Sequence, residues 1–134
     1  MIFTNSDGGA RGNPGPGAIG VVVRDSEVVL EEFGKKIGDK VTNNIAEYNG
    51  LIEALKTASK YTTKEVTCIL DSELVVKQVL GEYKVKQEHL KKLFLEVQKL
   101  IDKFEKVKFV HVSRWDEFQQ RADRLLNDEL DKKL

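Results

Sequence analysis

Four acids stand far apart in this chain, two at the ends of predicted strands and two on predicted helices. Asp7 follows the short run Ile2 to Ser6 and opens the stretch Asp7-Gly8-Gly9-Ala10-Arg11-Gly12-Asn13-Pro14-Gly15-Pro16-Gly17. Asp71 ends the apolar run that holds Val66, Cys68, Ile69 and Leu70. Glu47 falls in the first turn of a predicted helix that opens at Thr42-Asn43-Asn44, and Asp123 lies at the edge of the last helix's apolar stripe, beside Leu126. If the strands before Asp7 and Asp71 are parallel neighbours, both acids emerge at one sheet edge, where open α/β sheets place their ligands. Carboxylates gathered there repel and raise one another's pKa. Bound cations make such a cluster tolerable, and an all-oxygen donor set selects hard ions, Mg²⁺ or Mn²⁺, over zinc. Two such ions about 3.5–4 Å apart form a clamp for in-line attack on a phosphodiester.

Each acid also has a plainer explanation. Asn44 and Glu47 have the spacing of a capping pair. Asp71 could cap the helix after it, Asp123 could be a solvated helical charge, and Asp7 could sit in an ordinary hairpin turn. The glycine run is not a phosphate loop of known type. Gly17-Ala18-Ile19 lacks the Lys and Ser/Thr of a Walker loop. A dinucleotide fingerprint needs a helix after its glycines, and the valines here read as a strand. What the glycines do offer is room for another backbone to come close.

Periodicity supplies the elements that position these residues. Strands are expected at Ile2 to Ser6, Gly17 to Arg24 and Val28 to Ile37, with Asp25-Ser26-Glu27 as a hairpin loop. Ile45, Tyr48, Leu51, Ile52 and Leu55 recur at helical spacing. A fourth strand, Glu65 to Leu70, precedes a short helix from Ser72 to Leu80 that Gly81 stops. A longer amphipathic helix from Gln87 to Phe104, a fifth strand from Val107 to Val112 and a helix from Phe118 to about Leu130 complete the chain. This order predicts an α/β fold with a five-stranded mixed sheet. An antiparallel three-strand meander is joined by two strands parallel to the first.

With 134 residues, residues 1–134 are expected to form one domain. No apolar run is long enough to span a membrane and Met1-Ile2-Phe3 has no signal-peptide layout, so a cytoplasmic location is expected. The lone Cys68 excludes an internal disulfide and reads as a core thiol. Basic and acidic residues balance at 22 each, which excludes bulk attraction to nucleic acid. Any such binding must be local, with metal ions supplying positive charge. Nothing indicates an obligate protein partner, so a monomer is expected, and Lys132-Lys133 reads as a solvated tail.

Four blocks together resemble the motifs of type 1 ribonuclease H: Asp7 to Gly15, Thr42 to Tyr48, Asp71-Ser72-Glu73-Leu74-Val75, and Ala122-Asp123-Arg124-Leu125. They occur in the family's order and span nearly the whole chain. The resemblance implies a ribonuclease H-like fold, a five-stranded mixed sheet in the order 3-2-1-4-5 flanked by helices, and endonucleolytic cleavage of the RNA strand of an RNA/DNA hybrid by two Mg²⁺ ions, with Mn²⁺ as a substitute. Products would carry 5′-phosphate and 3′-hydroxyl ends. Asp7, Glu47, Asp71 and Asp123 match the family's catalytic, metal-binding acids. Gly8, Gly12, Asn13, Asn43, Asn44 and Ser72 match its minor-groove contacts, as suits a wide, shallow groove displaying 2′-hydroxyls. Arg11 and Arg114 are candidate phosphate contacts.

The chain also departs from the family. Gly81-Glu82-Tyr83-Lys84-Val85-Lys86 leads almost directly into the long helix, without the extra basic helix of some members, and no N-terminal hybrid-binding domain is expected. Lys84, Lys86, Lys91 and Lys92 are candidate substitutes or else a solvated face. His111 falls in a strand, and Ser113-Arg114-Trp115-Asp116-Glu117 lacks the loop histidine of many members. Gln119 stands where the family often has Asn. The unusual spacing leaves Asp116 and Glu117 as alternatives to Asp123. A non-cleaving module that grips hybrid or duplex RNA is the second reading. A DNA integrase or junction resolvase of the same superfold is the third, which the paired asparagines disfavour.

Overall fold

The computed structural model describes residues 1–132, so Lys133 of the expected tail lies outside the described residues. In chain order the elements are β1 (Ile2–Ala10), β2 (Gly15–Arg24), β3 (Val29–Val41), α1 (Asn43–Ala58), β4 (Glu65–Leu70), α2 (Glu73–Val79), α3 (Glu88–Ile101), β5 (Lys106–His111) and α4 (Glu117–Asp131). They build one five-stranded sheet in the order β3-β2-β1-β4-β5, the order expected for a ribonuclease H-like fold. β1 and β3 flank β2 antiparallel, and β4 pairs parallel with both β1 and β5.

The sheet is covered on both faces. Ile19, Val21 and Val23 of β2 pack on Ala54 of α1. The alternate residue Gly20 faces α4, because successive side chains of a strand point to opposite faces. That explains why β2 reads as an almost unbroken apolar run. The larger core lies around α1: Tyr48, Leu51 and Leu55 meet Val66, Cys68 and Leu70 of β4, with Val75, Leu90 and Val97 closing over them from α2 and α3. Cys68 is fully buried there, and burial pushes its thiol up to about 12.

Several boundaries differ from expectation. β1 continues past Ser6 to Ala10, because Gly8, Gly9 and Ala10 keep pairing with Ile19, Ala18 and Gly17. Glycines expected to form a turn here lend only their backbones to the ladder. β3 runs on to Val41, with register shifts in its pairing to β2 at Gly15 and Gly17. The Thr42 hydroxyl caps α1 by accepting the Ile45 N–H at 3.2 Å. Glu47 is therefore in the second turn, not the first, and the Asn44–Glu47 capping pair is displaced by Thr42. β5 ends on His111, which is exposed.

Candidate active site

Strand register brings the first two acids together. Asn5 and Ile69 are the last paired residues of β1 and β4. Asp7 and Asp71 each lie two residues further on, so both side chains share one phase of the pleat. Asp71 is left free for this edge because Ser72 caps α2, accepting the Val75 N–H at 3.2 Å.

Two glycines bring the other acids in. A side chain at Gly8 would strike the Ala46 carbonyl and stand 2.5 Å from the Glu47 amide nitrogen. Its absence lets α1 lie against β1 and carries Glu47 to Asp7. A side chain at Gly20 would run into the Ala122 carbonyl, so the bare strand there sets α4 close and carries Asp123 to the same edge. Asp116 caps α4 by accepting the N–H groups of Phe118 and Gln119, both at 3.1 Å. That role uses up one alternative to Asp123. Neither Asp116 nor Glu117 lines the cleft.

All four acids, Asp7, Glu47, Asp71 and Asp123, line one open cleft of about 880 Å³. Asp7 is 9% exposed. Burial above all, then the charges of Asp71 and Asp123, push its carboxyl up to about 9; a 2.9 Å hydrogen bond from the Gly8 N–H pulls the other way, and Glu47 adds a smaller push. Burial, opposed by the Ser72 hydroxyl and aided by Asp71, raises Glu47 to about 7. Asp71 is also raised, first by burial, while the Gln119 amide and the Asp7 carboxyl act against the shift. Among the described residues, no three acids, histidines or cysteines already converge into a finished cation cage. Drawing them around an ion costs repulsion that only the ion's own charge offsets. The donor set does fit such an ion: it is all oxygen, and Asp7, Glu47 and Asp71, buried and with like charge beside them, hold protons above their ordinary range.

A buried polar chain underlies the acids. The Arg24 guanidinium lies between the rings of Phe3 and Phe118, 4.9 and 4.0 Å from their centroids. Its Nε donates to Asn5 Oδ1 at 3.1 Å, Asn5 Nδ2 donates to Gln119 Oε1 at 3.2 Å, and Gln119 Nε2 donates to the Ser6 carbonyl at 2.7 Å. Gln119, fully buried, thus ties α4 to β1 and reaches Asp71. Sequence reasoning saw Gln119 only as a departure and missed Asn5 and Arg24. Polar residues within a strand and an arginine at a strand end carry no periodic signal of their own.

The other predicted positions divide. Gly8, Arg11, Asn43 and Arg114 line the cleft; Gly12, Asn13, Asn44 and Ser72 do not. Asn13 Oδ1 accepts the Asn43 N–H at 3.1 Å, and Asn43 Oδ1 accepts the Ala10 N–H at 2.9 Å, so the two asparagines fasten the β1–β2 loop to α1. Arg11 forms a 2.6 Å ion pair with Asp131, which is exposed on both sides and hence weak. Trp115, Gln120, Arg124 and Asn127 line the cleft without having been singled out.

A mixed sheet in this order, with acids from β1, α1, β4 and α4 at one edge, defines a ribonuclease H-like protein. Residues 5–128 match the family described as Reverse transcriptase-like. The chain is 42% identical over 132 residues to the bifunctional protein Rv2228c of Mycobacterium tuberculosis, covering 97% of this chain and 35% of that protein. It thus spans about a third of the length of that relative. LC11-RNase H1, solved in complex with an RNA/DNA hybrid, superposes with a TM-score of 0.88 at 40% identity, covering 96% of this chain and 95% of that one. RNase H1 of the halophilic archaeon Halobacterium salinarum gives 0.90 at 34% identity, covering 97% of both chains. The chain belongs to the type 1 ribonuclease H family.

Proposed function

We propose that this chain hydrolyses the RNA strand of RNA/DNA hybrids endonucleolytically, leaving 5′-phosphate and 3′-hydroxyl ends. The observation that carries this reading is the convergence of Asp7, Glu47, Asp71 and Asp123 on one cleft, with burial and mutual charge raising Asp7 to about 9. The hybrid bound to LC11-RNase H1 adds support for the substrate.

Asp7 and Asp71 would hold two Mg²⁺ or Mn²⁺ ions between them, with Asp123 on one ion and Glu47 on the other. When bound, such ions supply an activated water and charge stabilisation for the leaving 3′ oxygen. The chain's own contribution is position. Gly8 and Gly20 set the helices close enough for Glu47 and Asp123 to reach the edge. Gln119, bonded to Asn5 and the Ser6 carbonyl, fixes α4 against β1 below the acids. Asn43 and Arg114 face the same cleft, where a minor groove and a phosphate would lie. The Gly8 N–H on Asp7 Oδ1 aims that carboxylate.

The test is a labelled hybrid incubated with the chain and Mg²⁺ or Mn²⁺. Wild type should give 5′-phosphorylated RNA fragments, and Asp7→Asn should give none while folding normally. Binding without cutting in either metal would establish the non-cleaving module instead. Cutting by Asp7→Asn at the wild-type rate would overturn the mechanism.

A further inference from the structure

The loop between β5 and α4 presents one side chain that neither the acids nor the core explain. Trp115 is 70% exposed, the most exposed large apolar side chain among the described residues, and it stands on the wall of the cleft that holds Asp71 and Asp123. Its exposure is not the result of a loose loop. The Trp115 N–H donates to the Ser113 hydroxyl at 3.1 Å, and the Asp116 N–H donates to the Ser113 carbonyl at 3.0 Å. On the following side, the cap of α4 fixes Asp116. A short turn held by these bonds thus presents an indole to water beside the reaction centre. Its ring also lies by Arg114, whose guanidinium carbon is 4.9 Å from the ring centroid. Arginine stacked on an aromatic face keeps its donors directed outward, in the plane of the fork.

Folding gains nothing from leaving so large an apolar face wet. Nucleic-acid binding does gain from it: the bases of a duplex are stacked on one another, but the sugars along its groove offer C–H faces to an aromatic whatever the sequence. We propose that Trp115 is a substrate-contacting residue whose indole packs against a nucleotide flanking the phosphate addressed by the four acids, while Arg114 takes a neighbouring backbone phosphate. In a hybrid duplex the accessible faces lie along the wide, shallow minor groove. The pair would fix how deeply that groove seats in the cleft. This assignment rests on the hybrid-nuclease reading above.

Trp115 is the single tryptophan of the chain, so its emission reports on this position alone. The wild-type chain is titrated with an RNA/DNA hybrid in Ca²⁺ in place of Mg²⁺, with the strands checked for integrity afterwards. Binding is followed in parallel by the anisotropy of a fluorescein-labelled hybrid. The expected result is a saturable change in tryptophan emission with the same midpoint as the anisotropy, together with protection from iodide quenching. An anisotropy rise with unchanged emission and unchanged iodide access overturns the role of Trp115 and leaves the hybrid reading standing. No anisotropy rise at all overturns both. In Mg²⁺, Trp115→Ala should raise KM about tenfold, with kcat within about twofold. Trp115→Phe should recover most of the loss, and both variants should melt with wild type because the side chain is exposed. A wild-type KM for Trp115→Ala overturns the proposal.

Discussion

A carboxyl buried at a sheet edge and faced by others must hold a proton or meet a cation. Asp7 is the extreme case here, raised from 3.8 to about 9, with Glu47 raised from 4.5 to about 7. This fixes how the metal-free chain responds to pH. In the unfolded chain both groups ionise near about pH 4; in the folded chain they keep their protons to much higher pH. Across that interval the native state binds more protons, so stability falls as pH rises. The loss begins near about pH 4, Glu47 completes its share near 7, and Asp7 continues to about 9. Carboxylates lowered by their partners, such as Glu31 and Glu32, work in the opposite sense only at acid pH. Thermal melts in EDTA should therefore decline from pH 6 to pH 9. Asp7→Asn, neutral at every pH, should flatten the decline and match or exceed wild type at pH 8. Adding Mg²⁺ should reverse the trend for wild type alone. A clear loss of melting temperature for Asp7→Asn in EDTA would mean that Asp7 is there to hold the fold.

At the scale of elements, the N-cap of α4 and one acid within it have different duties. Asp116 caps the helix, whereas Asp123 faces the cleft. Asp116→Ala should cost about 1 kcal/mol of stability, the usual worth of a cap, and leave kcat within about threefold. Asp123→Asn should leave stability alone and cut kcat by roughly two orders of magnitude. The reverse pattern would hand the metal role to Asp116. The glycines make a second pair. Gly20→Ala forces α4 off β2 at a backbone atom and should cost ~1–3 kcal/mol, as overpacking does, while raising the Mg²⁺ needed for half-maximal cleavage. Gly9→Ala would meet only Leu126 Cδ1, at 3.6 Å, and should be tolerated on both counts. Equal effects of the two would remove close approach as the reason for Gly20. These same elements show what the sequence could reveal. The elements were readable from the almost unbroken apolar run of β2, which is covered on both faces, and from the helical periods of α1 and α3, which each bury one apolar face. Asp7, Glu47, Asp71 and Asp123 stood out because acids at such places need a reason. The length of β1 did not show, because pairing through glycine backbones leaves no side-chain pattern. Nor did the Arg24–Asn5–Gln119 chain, since those partners are distant in sequence and meet only after folding.

For the whole molecule, charge balance is the governing fact. With 22 cationic and 22 anionic side chains, the chain has no long-range pull on a polyanion. The cationic side chains that line the cleft are Arg11, Arg114 and Arg124. Of these, Arg11 is paired with Asp131 through an exposed contact weak enough to exchange for a phosphate. Lys84 and Lys91 instead line a separate, mostly apolar groove with Tyr83 and Phe94. If binding is confined to the cleft, each phosphate engaged contributes about −0.9 to the slope of log K against log salt. Three contacts then give a slope near about −3, shallow for a nucleic-acid-binding protein. Anisotropy titrations of a labelled hybrid across a salt series measure that slope directly, in Ca²⁺ so that the strands survive. Replacing Arg114 by Gln should reduce it by about one, whereas Lys84→Gln together with Lys91→Gln should leave it unchanged. A wild-type slope twice as steep, relieved by the lysine changes, would show that the duplex extends beyond the cleft and over the α2–α3 loop and the start of α3.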